Sequence, residues 1–352
     1  MRASPLARIL FAAWIVLVAY ASLYPLTGWR DAGLPPLAFL HGPWPRYVTA
    51  FDVVVNVAGY LPHGLLCVLA LHPGLRGVAA VTAAAVSGFG LSLVLETAQG
   101  YLPARDASNL DVLCNALGAL AGAVAGTLAA PSLLERGRLR DLRRALFQPD
   151  AGADVALALL GLWLFTQLNP AMLLFGAGDL RDLFSTPAGP AQTAAAFATI
   201  EALTAGANLV AVGLIAASVI RPGGPVRVLV LLLVVAALSV KTAAFAVLMR
   251  AEDVLAWLTP GARYGLAAGL VLALATTGLG RLTRLVLAAV LLMAATVLVN
   301  LAPPNPYLAA ILRVWQQGHF LNLNGLTRLV ALVWPFAALA WLIWSAARRG
   351  RA

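Results

Sequence analysis

The sequence predicts an all-α fold: a polytopic transmembrane helical bundle of about ten spanning helices with both termini in the cytoplasm. Hydrophobic residues make up 61% of the chain and charged residues only 11%, whereas a soluble domain is roughly half apolar and about a quarter charged. The apolar residues lie in long uninterrupted runs, which favour helices over the alternating strands of a membrane barrel. The arginines are concentrated in short segments between alternate runs, which is typical of the cytoplasmic loops of membrane proteins.

Ten apolar runs come close to the ~20 residues that a helix needs to cross a bilayer. They lie at 7–23, 53–71, 78–99, 110–130, 153–169, 194–220, 226–248, 264–280, 285–301 and 327–346. The first run also has features of a secretory signal peptide, because Arg2 and Arg8 precede it and residues 19–21 resemble a cleavage site. Trp14 and Tyr20 favour instead a helix that stays in the protein.

The distribution of basic residues orients these runs. With the N-terminus inside, ten spans place 15 of the 23 arginines in inside segments and eight in outside segments, as the positive-inside rule requires. The net charge of +10 therefore reflects membrane topology, and we expect no nucleic-acid partner. Residues 135–147 form the most basic inside connection, and the spacing of their leucines predicts an amphipathic helix on the inner leaflet. We therefore divide the chain into a four-helix module at 1–130, a connector at 131–150 and a six-helix extension of unknown role at 151–352.

Polar side chains recur in the second, third and fourth runs and in the loop between the last two. They are Asp52, Asn56, Glu96, Gln99, Arg105, Asp106, Asp111 and Asn115. The predicted topology brings all of them to one depth on the outside face. Polar groups are costly in lipid, so such a cluster indicates a functional site.

Helical spacing supports a meeting of these groups. Asp111 and Asn115 are four residues apart, and Gly118 and Gly122 continue the same stripe as a face for close helix packing. Pro62 interrupts the second run and frees a backbone carbonyl there.

Two interpretations of the cluster stay open. In the first, Arg105 pairs with the acids and the amides cross-link the helices, so that the cluster is a hydrogen-bonded plug. In the second, an unpaired acid serves a site. Arg105 would then bind phosphate or carboxylate, and Glu96 or Asp111 would be the catalytic acid or base if a reaction occurs.

The order of these residues resembles the VanZ-like family. The matching positions are Asp52, Asn56, Pro62, Gly64, Glu96, Gln99, Arg105, Asp111, Asn115, Gly118 and Gly122, in the pattern D-x3-N, P-x-G, E-x2-Q, R, D-x3-N-x2-G-x3-G. Tyr20, Ser22, Leu23 and Pro25 resemble the Y-x-S-L-x-P end of the family's first helix. The resemblance covers about residues 8–128.

The resemblance implies a multi-pass protein of the bacterial cytoplasmic (inner) membrane. It also implies an antibiotic-resistance-like role in the cell envelope, since the founding member is associated with low-level resistance to the glycopeptide teicoplanin. The expected partners are membrane lipids and a lipid-linked cell-wall precursor or a glycopeptide. We expect no cofactor and no metal.

The extension has polar candidates of its own. Lys241 is the only lysine of the chain and lies within the seventh run, and Glu201 lies at similar depth in the sixth. The opposite charges predict an intramembrane ion pair, either structural or part of a transport path. After three prolines, residues 307–317 are expected to form a short interfacial helix.

Three functions follow from these observations. The leading hypothesis is recognition or modification of an envelope lipid or glycopeptide at the outer leaflet. The alternatives are a transporter or flippase with a polar path reaching Glu201 and Lys241, and a non-catalytic scaffold in which the polar cluster is fully paired.

Overall fold

The computed structural model describes residues 4–31, 33, 35–135, 137–181, 183, 193–308 and 321–348. The secondary structure in these ranges is helical and contains no strand, which confirms the predicted fold class. The chain divides into two units, an N-terminal unit (Met1–Arg144) and a C-terminal unit (Ala145–Ala352).

The N-terminal unit is built on four long helices. Its elements are α1 (Pro5–Leu23), the short α2 (Ala38–His41), α3 (Ala50–Leu71), α4 (Gly77–Gln99), α5 (Asn109–Ala130), a π-helical turn (Pro131–Glu135) and the start of α6 (Arg138–Leu146). Helix α5 packs against both α3 and α4, and α1 packs against α3 and α4. Ser4, Thr49 and Ser108 cap α1, α3 and α5 with side-chain hydrogen bonds to the unpaired amides of the first turn.

Glycines bring α3 and α5 into backbone contact. A Cβ atom added at Gly118 would overlap the carbonyl oxygen of Val57, and one at Gly122 would overlap that of Leu61. In return, a Cβ at Gly64 of α3 would overlap the carbonyl oxygen of Ala119. Helix α3 continues through Pro62 to Leu71, so the predicted interruption is wrong. A proline inside a membrane helix is tolerated where neighbouring helices support the backbone.

The C-terminal unit is arranged around α8. Its elements are α7 (Ala151–Thr166), α8 (Ala194–Val219), α9 (Val226–Leu248), a 3-10 turn (Ala251–Asp253), α10 (Pro260–Thr276), α11 (Arg281–Leu301) and α12 (Leu321–Ala347). Helix α8 contacts α7, α9, α10 and α11, whereas α12 packs on α7 and α11. Every residue of 208–220 is buried, so α8 is the core of this unit.

Each of the ten predicted runs corresponds to one helix of the structure. Within the described ranges, eight helices are long and apolar enough to cross a membrane, which makes the chain a multi-pass membrane protein. Helix α7 has 16 residues and α10 has 17, so the count of ten crossings and the side of the termini stay predictions. Most of the interfacial helix expected at 307–317 lies outside the described residues.

Candidate functional site

The buried end of α4 holds two of the predicted site residues. Glu96 is 4% exposed and Gln99 is 8% exposed. The Glu96 Oε2 atom accepts a hydrogen bond from the backbone amide of Ser108 at 2.9 Å, and Gln99 Nε2 donates to the carbonyl of Ser22 at 3.0 Å. The first bond fixes the start of α5 and the second fixes the end of α1.

Arg105 binds the last carbonyls of α1. Its Nε and Nη2 atoms donate to the carbonyl of Tyr24 at 3.0 and 2.7 Å, and Nη2 also lies 3.5 Å from that of Ala21. These carbonyls lack helical donors, and a cation there is stabilised by the helix dipole. Burial lowers the pKa of the Arg105 guanidinium, although the charge of Glu96 raises it.

A second polar layer lies along α4 towards the middle of the unit. Asn115 Nδ2 donates to Ser92 Oγ at 2.9 Å, and both residues are buried. Further along, His63 Nε2 lies 3.1 Å from Ser87 Oγ. Among the described residues, Asn115 Oδ1 and His63 Nδ1 have no hydrogen-bond partner. The side chain of Tyr60 lies beside Ser92. Tyr60 therefore belongs to this polar layer, although its apolar neighbours in the sequence did not predict this.

The other predicted site residues lie at the rim. Asp52 is exposed in the first turn of α3, where it forms a reciprocal capping box with Thr49. Asp106 is exposed in the α4–α5 loop, and Asn56 and Asp111 are half-buried. The structure therefore separates the predicted cluster into a buried group and an exposed rim.

A cavity of about 440 Å³ opens beside Arg105. Its charged lining consists of Arg30, Asp31, Arg105 and Asp106, and its apolar lining includes Phe39, Tyr101 and three prolines. Glu96, Asp111 and Asn115 do not line it. Arg30 could not be predicted as a site residue, because its place beside Arg105 depends on a backbone hydrogen bond from the Arg30 amide to the Tyr101 carbonyl.

Large aromatic residues are exposed in the segment between α1 and α3. Trp29 is 50% exposed, Trp44 58% and Tyr47 93%. Amphipathic rings of this kind concentrate at the level of lipid head groups. The segment that lines one side of the cavity thus has the composition of a membrane interface.

The ion pair predicted for the extension is not present as a direct contact. Lys241 Nζ donates to the carbonyls of Asn169 and Met172 at 2.6 and 3.0 Å, and Glu201 accepts a hydrogen bond from the Thr259 hydroxyl. Glu201 and Lys241 interact electrostatically, but among the described residues they form no salt bridge within 4.0 Å. Each charge lies closer to a polar group of the irregular segments, because those segments offer partners that regular helices lack.

The N-terminal residues of the chain match a protein-family model. A search of curated proteins and a search of solved structures each found no significant similarity. A family model described as VanZ/LLP1 matches residues 8–130. The match confirms the resemblance seen in the motif residues and leaves residues 131–352 without a family. The chain is thus a multi-pass membrane protein in which residues 8–130 are similar to the VanZ/LLP1 family.

Proposed function

We propose that the N-terminal unit recognises the polar head of a cell-envelope lipid, a lipid-linked precursor or a glycopeptide at the outer leaflet of a bacterial cytoplasmic membrane. The observation that carries this proposal is the cavity of about 440 Å³ beside Arg105. Its volume is within the range of ligand pockets, ~300–1,000 Å³. Two arginines and two aspartates give it hydrogen-bonding groups of both signs for a polar ligand, and apolar walls suit the adjoining carbon chain.

The lining favours binding over chemistry. The acid–base candidates Glu96 and Asp111 do not line the cavity, and Glu96 already accepts the amide of Ser108. A catalytic acid must come within hydrogen-bond reach of the reacting group. Recognition is therefore the better-supported half of the hypothesis, and modification of the ligand is the weaker half.

The two alternatives have less support. A scaffold requires a fully paired cluster, whereas Asn115 Oδ1 and His63 Nδ1 have no partner among the described residues. The transport path was expected to reach Glu201 and Lys241, whereas the cavity beside Arg105 is lined by neither of them, nor by the deeper polar residues Asn115 and His63. A role like that of the teicoplanin-resistance protein rests on the family resemblance, and the proposed head-group site gives that role a physical basis.

Native mass spectrometry of co-purified lipids tests the proposal. Arg105→Ala should reduce the bound lipid or precursor relative to wild type, but Arg105 also binds the end of α1. Arg30→Gln removes a charge from the cavity and should reduce the same species, and the Arg30 side chain forms no hydrogen bond with any residue that the structure describes. Arg46→Ala is the matched control, because Arg46 is exposed and outside the cavity. Equal lipid retention in all three variants, with normal folding, would contradict the proposal.

A further inference from the structure

The cavity beside Arg105 is lined by charges of opposite sign on two segments of the chain. Arg30 and Asp31 belong to the segment between α1 and α3, and Arg105 and Asp106 belong to the α4–α5 loop. The amide of Arg30 donates to the Tyr101 carbonyl at 2.9 Å and joins the two segments. A ligand in this cavity therefore meets a cation and a carboxylate from each segment.

Arg30 has a guanidinium group that a ligand can reach. The residue is exposed, and its side chain forms no hydrogen bond or ion pair with any residue that the structure describes. Arg105, in contrast, already donates to the carbonyl of Tyr24. Arginine matches the geometry of phosphate oxygens and binds them with charge-assisted hydrogen bonds. We therefore expect an anionic group of the ligand to bind Arg30.

The carboxylates of Asp31 and Asp106 are accessible as well. Asp106 is exposed and has no side-chain partner in the described part of the chain. Asp31 is also exposed, and only its Oδ1 atom accepts a described hydrogen bond, from the amide of Gly33 at 2.8 Å. A purely anionic head group would bring its charge close to both carboxylates, and like charges in contact weaken a complex. Because carboxylates are acceptors, they suit a ligand that also has a cationic donor.

The surroundings of the cavity suit an amphipathic ligand. Phe39 and three prolines line it. Trp29, beside Arg30 in the sequence, is 50% exposed, and its Nε1 atom donates to the carbonyl of Leu26 at 3.0 Å. Exposed indole rings are typical of the level of lipid head groups. A head group can therefore enter the cavity while its acyl chains stay in the bilayer.

We propose that the ligand of this cavity is a zwitterionic head group, with a phosphate that binds Arg30 and a primary ammonium that binds Asp31 and Asp106. Phosphoethanolamine has both groups, and it comes either from phosphatidylethanolamine or from the free compound. This ligand class rests on the head-group function proposed above and narrows it. A primary ammonium has N–H donors for the two carboxylates. The quaternary ammonium of phosphatidylcholine has no such donor, and phosphatidylglycerol has no cation.

Competitive lipid binding to the purified full-length protein tests this ligand. The protein is incubated with equal amounts of phosphatidylethanolamine, phosphatidylcholine and phosphatidylglycerol that have the same acyl chains, and native mass spectrometry counts the bound molecules of each. We expect phosphatidylethanolamine to be retained in preference to the other two. Soluble phosphoethanolamine is then added as a competitor. Displacement of the lipid would show that the free compound also binds, and retention of the lipid would show that the head group must be carried by a lipid.

Charge-removing variants assign the preference to the lining. Asp31→Asn combined with Asp106→Asn should lower the ratio of bound phosphatidylethanolamine to bound phosphatidylglycerol by about fivefold, because an exposed ion pair contributes up to ~1 kcal/mol. Asparagine at position 31 can still accept the Gly33 amide. Arg30→Gln should reduce the retention of both lipids. Asp253→Asn is the matched control, because Asp253 does not line the cavity, and it should keep the wild-type ratio.

The outcomes separate a wrong ligand class from a wrong function. The zwitterion is overturned, and the head-group site stands, if phosphatidylglycerol is retained as well as phosphatidylethanolamine or if the double aspartate variant keeps the wild-type ratio. Equal retention of phosphatidylcholine overturns the primary ammonium. The head-group function itself fails if the wild type retains none of the three lipids, or if Arg30→Gln retains all of them as the wild type does.

Discussion

In the N-terminal unit buried polar residues lie at the ends of apolar helices, whereas in the C-terminal unit a buried lysine lies within one. In the N-terminal unit, Glu96, Gln99 and Arg105 each bind a backbone group at the end of a neighbouring helix. In the C-terminal unit, Lys241 reaches from within α9 to the irregular segment that follows α7. In both units the partners are backbone groups that no helix satisfies. The comparison shows that backbone groups can be the direct partners of a buried charged side chain in this protein, without a residue of opposite charge in contact with it.

Both units contain a close backbone contact between two helices. Helices α3 and α5 meet at Gly118 and Gly122, and α8 and α10 meet at Gly265 and Gly269. The units differ in their large side chains, because the C-terminal unit also buries Trp163, Trp334 and Phe175 in the core cluster that includes α8. Substitutions at the glycines should therefore act through steric overlap, and substitution of Lys241 should act through lost polar partners.

The largest effect is expected at the glycine contact. Gly122→Ala should lower the free energy of unfolding by about 3 kcal/mol, because overpacking a core costs ~1–3 kcal/mol and the obstacle here is backbone. Gly90→Ala is the control, since a Cβ there meets nothing within 4 Å. It should stabilise α4 by up to ~1 kcal/mol, the difference in helix propensity. Reversible unfolding in bicelles measures the free energy of unfolding of both variants. If Gly122→Ala and Gly90→Ala changed it in the same direction, the steric contact at Gly122 would be refuted.

A double-mutant cycle sharpens the contrast in the C-terminal unit. Lys241→Met alone should cost about 2 kcal/mol, because two buried carbonyls lose their donor. The coupling energy with Glu201→Gln should stay below ~1 kcal/mol, since the two groups have separate partners. A coupling energy above ~2 kcal/mol would instead support the direct ion pair between Glu201 and Lys241 that the sequence predicted.

The smallest effect concerns the ion pair in the C-terminal unit in which Arg181 Nη2 lies 2.6 Å from Asp179 Oδ2. The pKa of Asp179 is lower in the folded protein than its usual value, so its stabilising contribution is complete above the unfolded pKa of ~3.9. That contribution is lost as the pH falls through the folded pKa. Asp179→Asn should therefore reduce the loss of unfolding free energy at acidic pH. It should not change the pH dependence of the unfolding free energy near neutral pH. An unchanged loss at acidic pH would show that the pair does not contribute to stability.

The positions of the helices were largely predictable, because they depend on local sequence. The run predicted to start at 264 begins earlier, at Pro260, since Thr259 caps the helix and proline suits its first turn. Helix α7 ends at Thr166 rather than 169, because a residue before proline avoids helical geometry and Pro170 follows Asn169. Both errors come from judging helix ends by hydropathy alone.

The partners of the polar residues were less predictable. The sequence placed Glu96, Gln99 and Arg105 at one end of the N-terminal module, and one of the two interpretations paired Arg105 with the nearby acids. Their main partners are instead backbone groups of Ser108, Ser22 and Tyr24. Side-chain composition does not reveal which backbone groups a fold leaves unpaired.

By itself, the sequence determined that the chain is an all-α multi-pass membrane protein with a VanZ-like segment. Apolar runs and motif spacing are local properties of the sequence. Such runs form helices in a membrane, because backbone groups without hydrogen-bond partners are unfavourable in lipid. Only the tertiary structure decided that Arg30 joins Arg105 at one cavity, and that Lys241 and Glu201 have separate partners. These features depend on irregular segments whose path is set by contacts between residues distant in sequence.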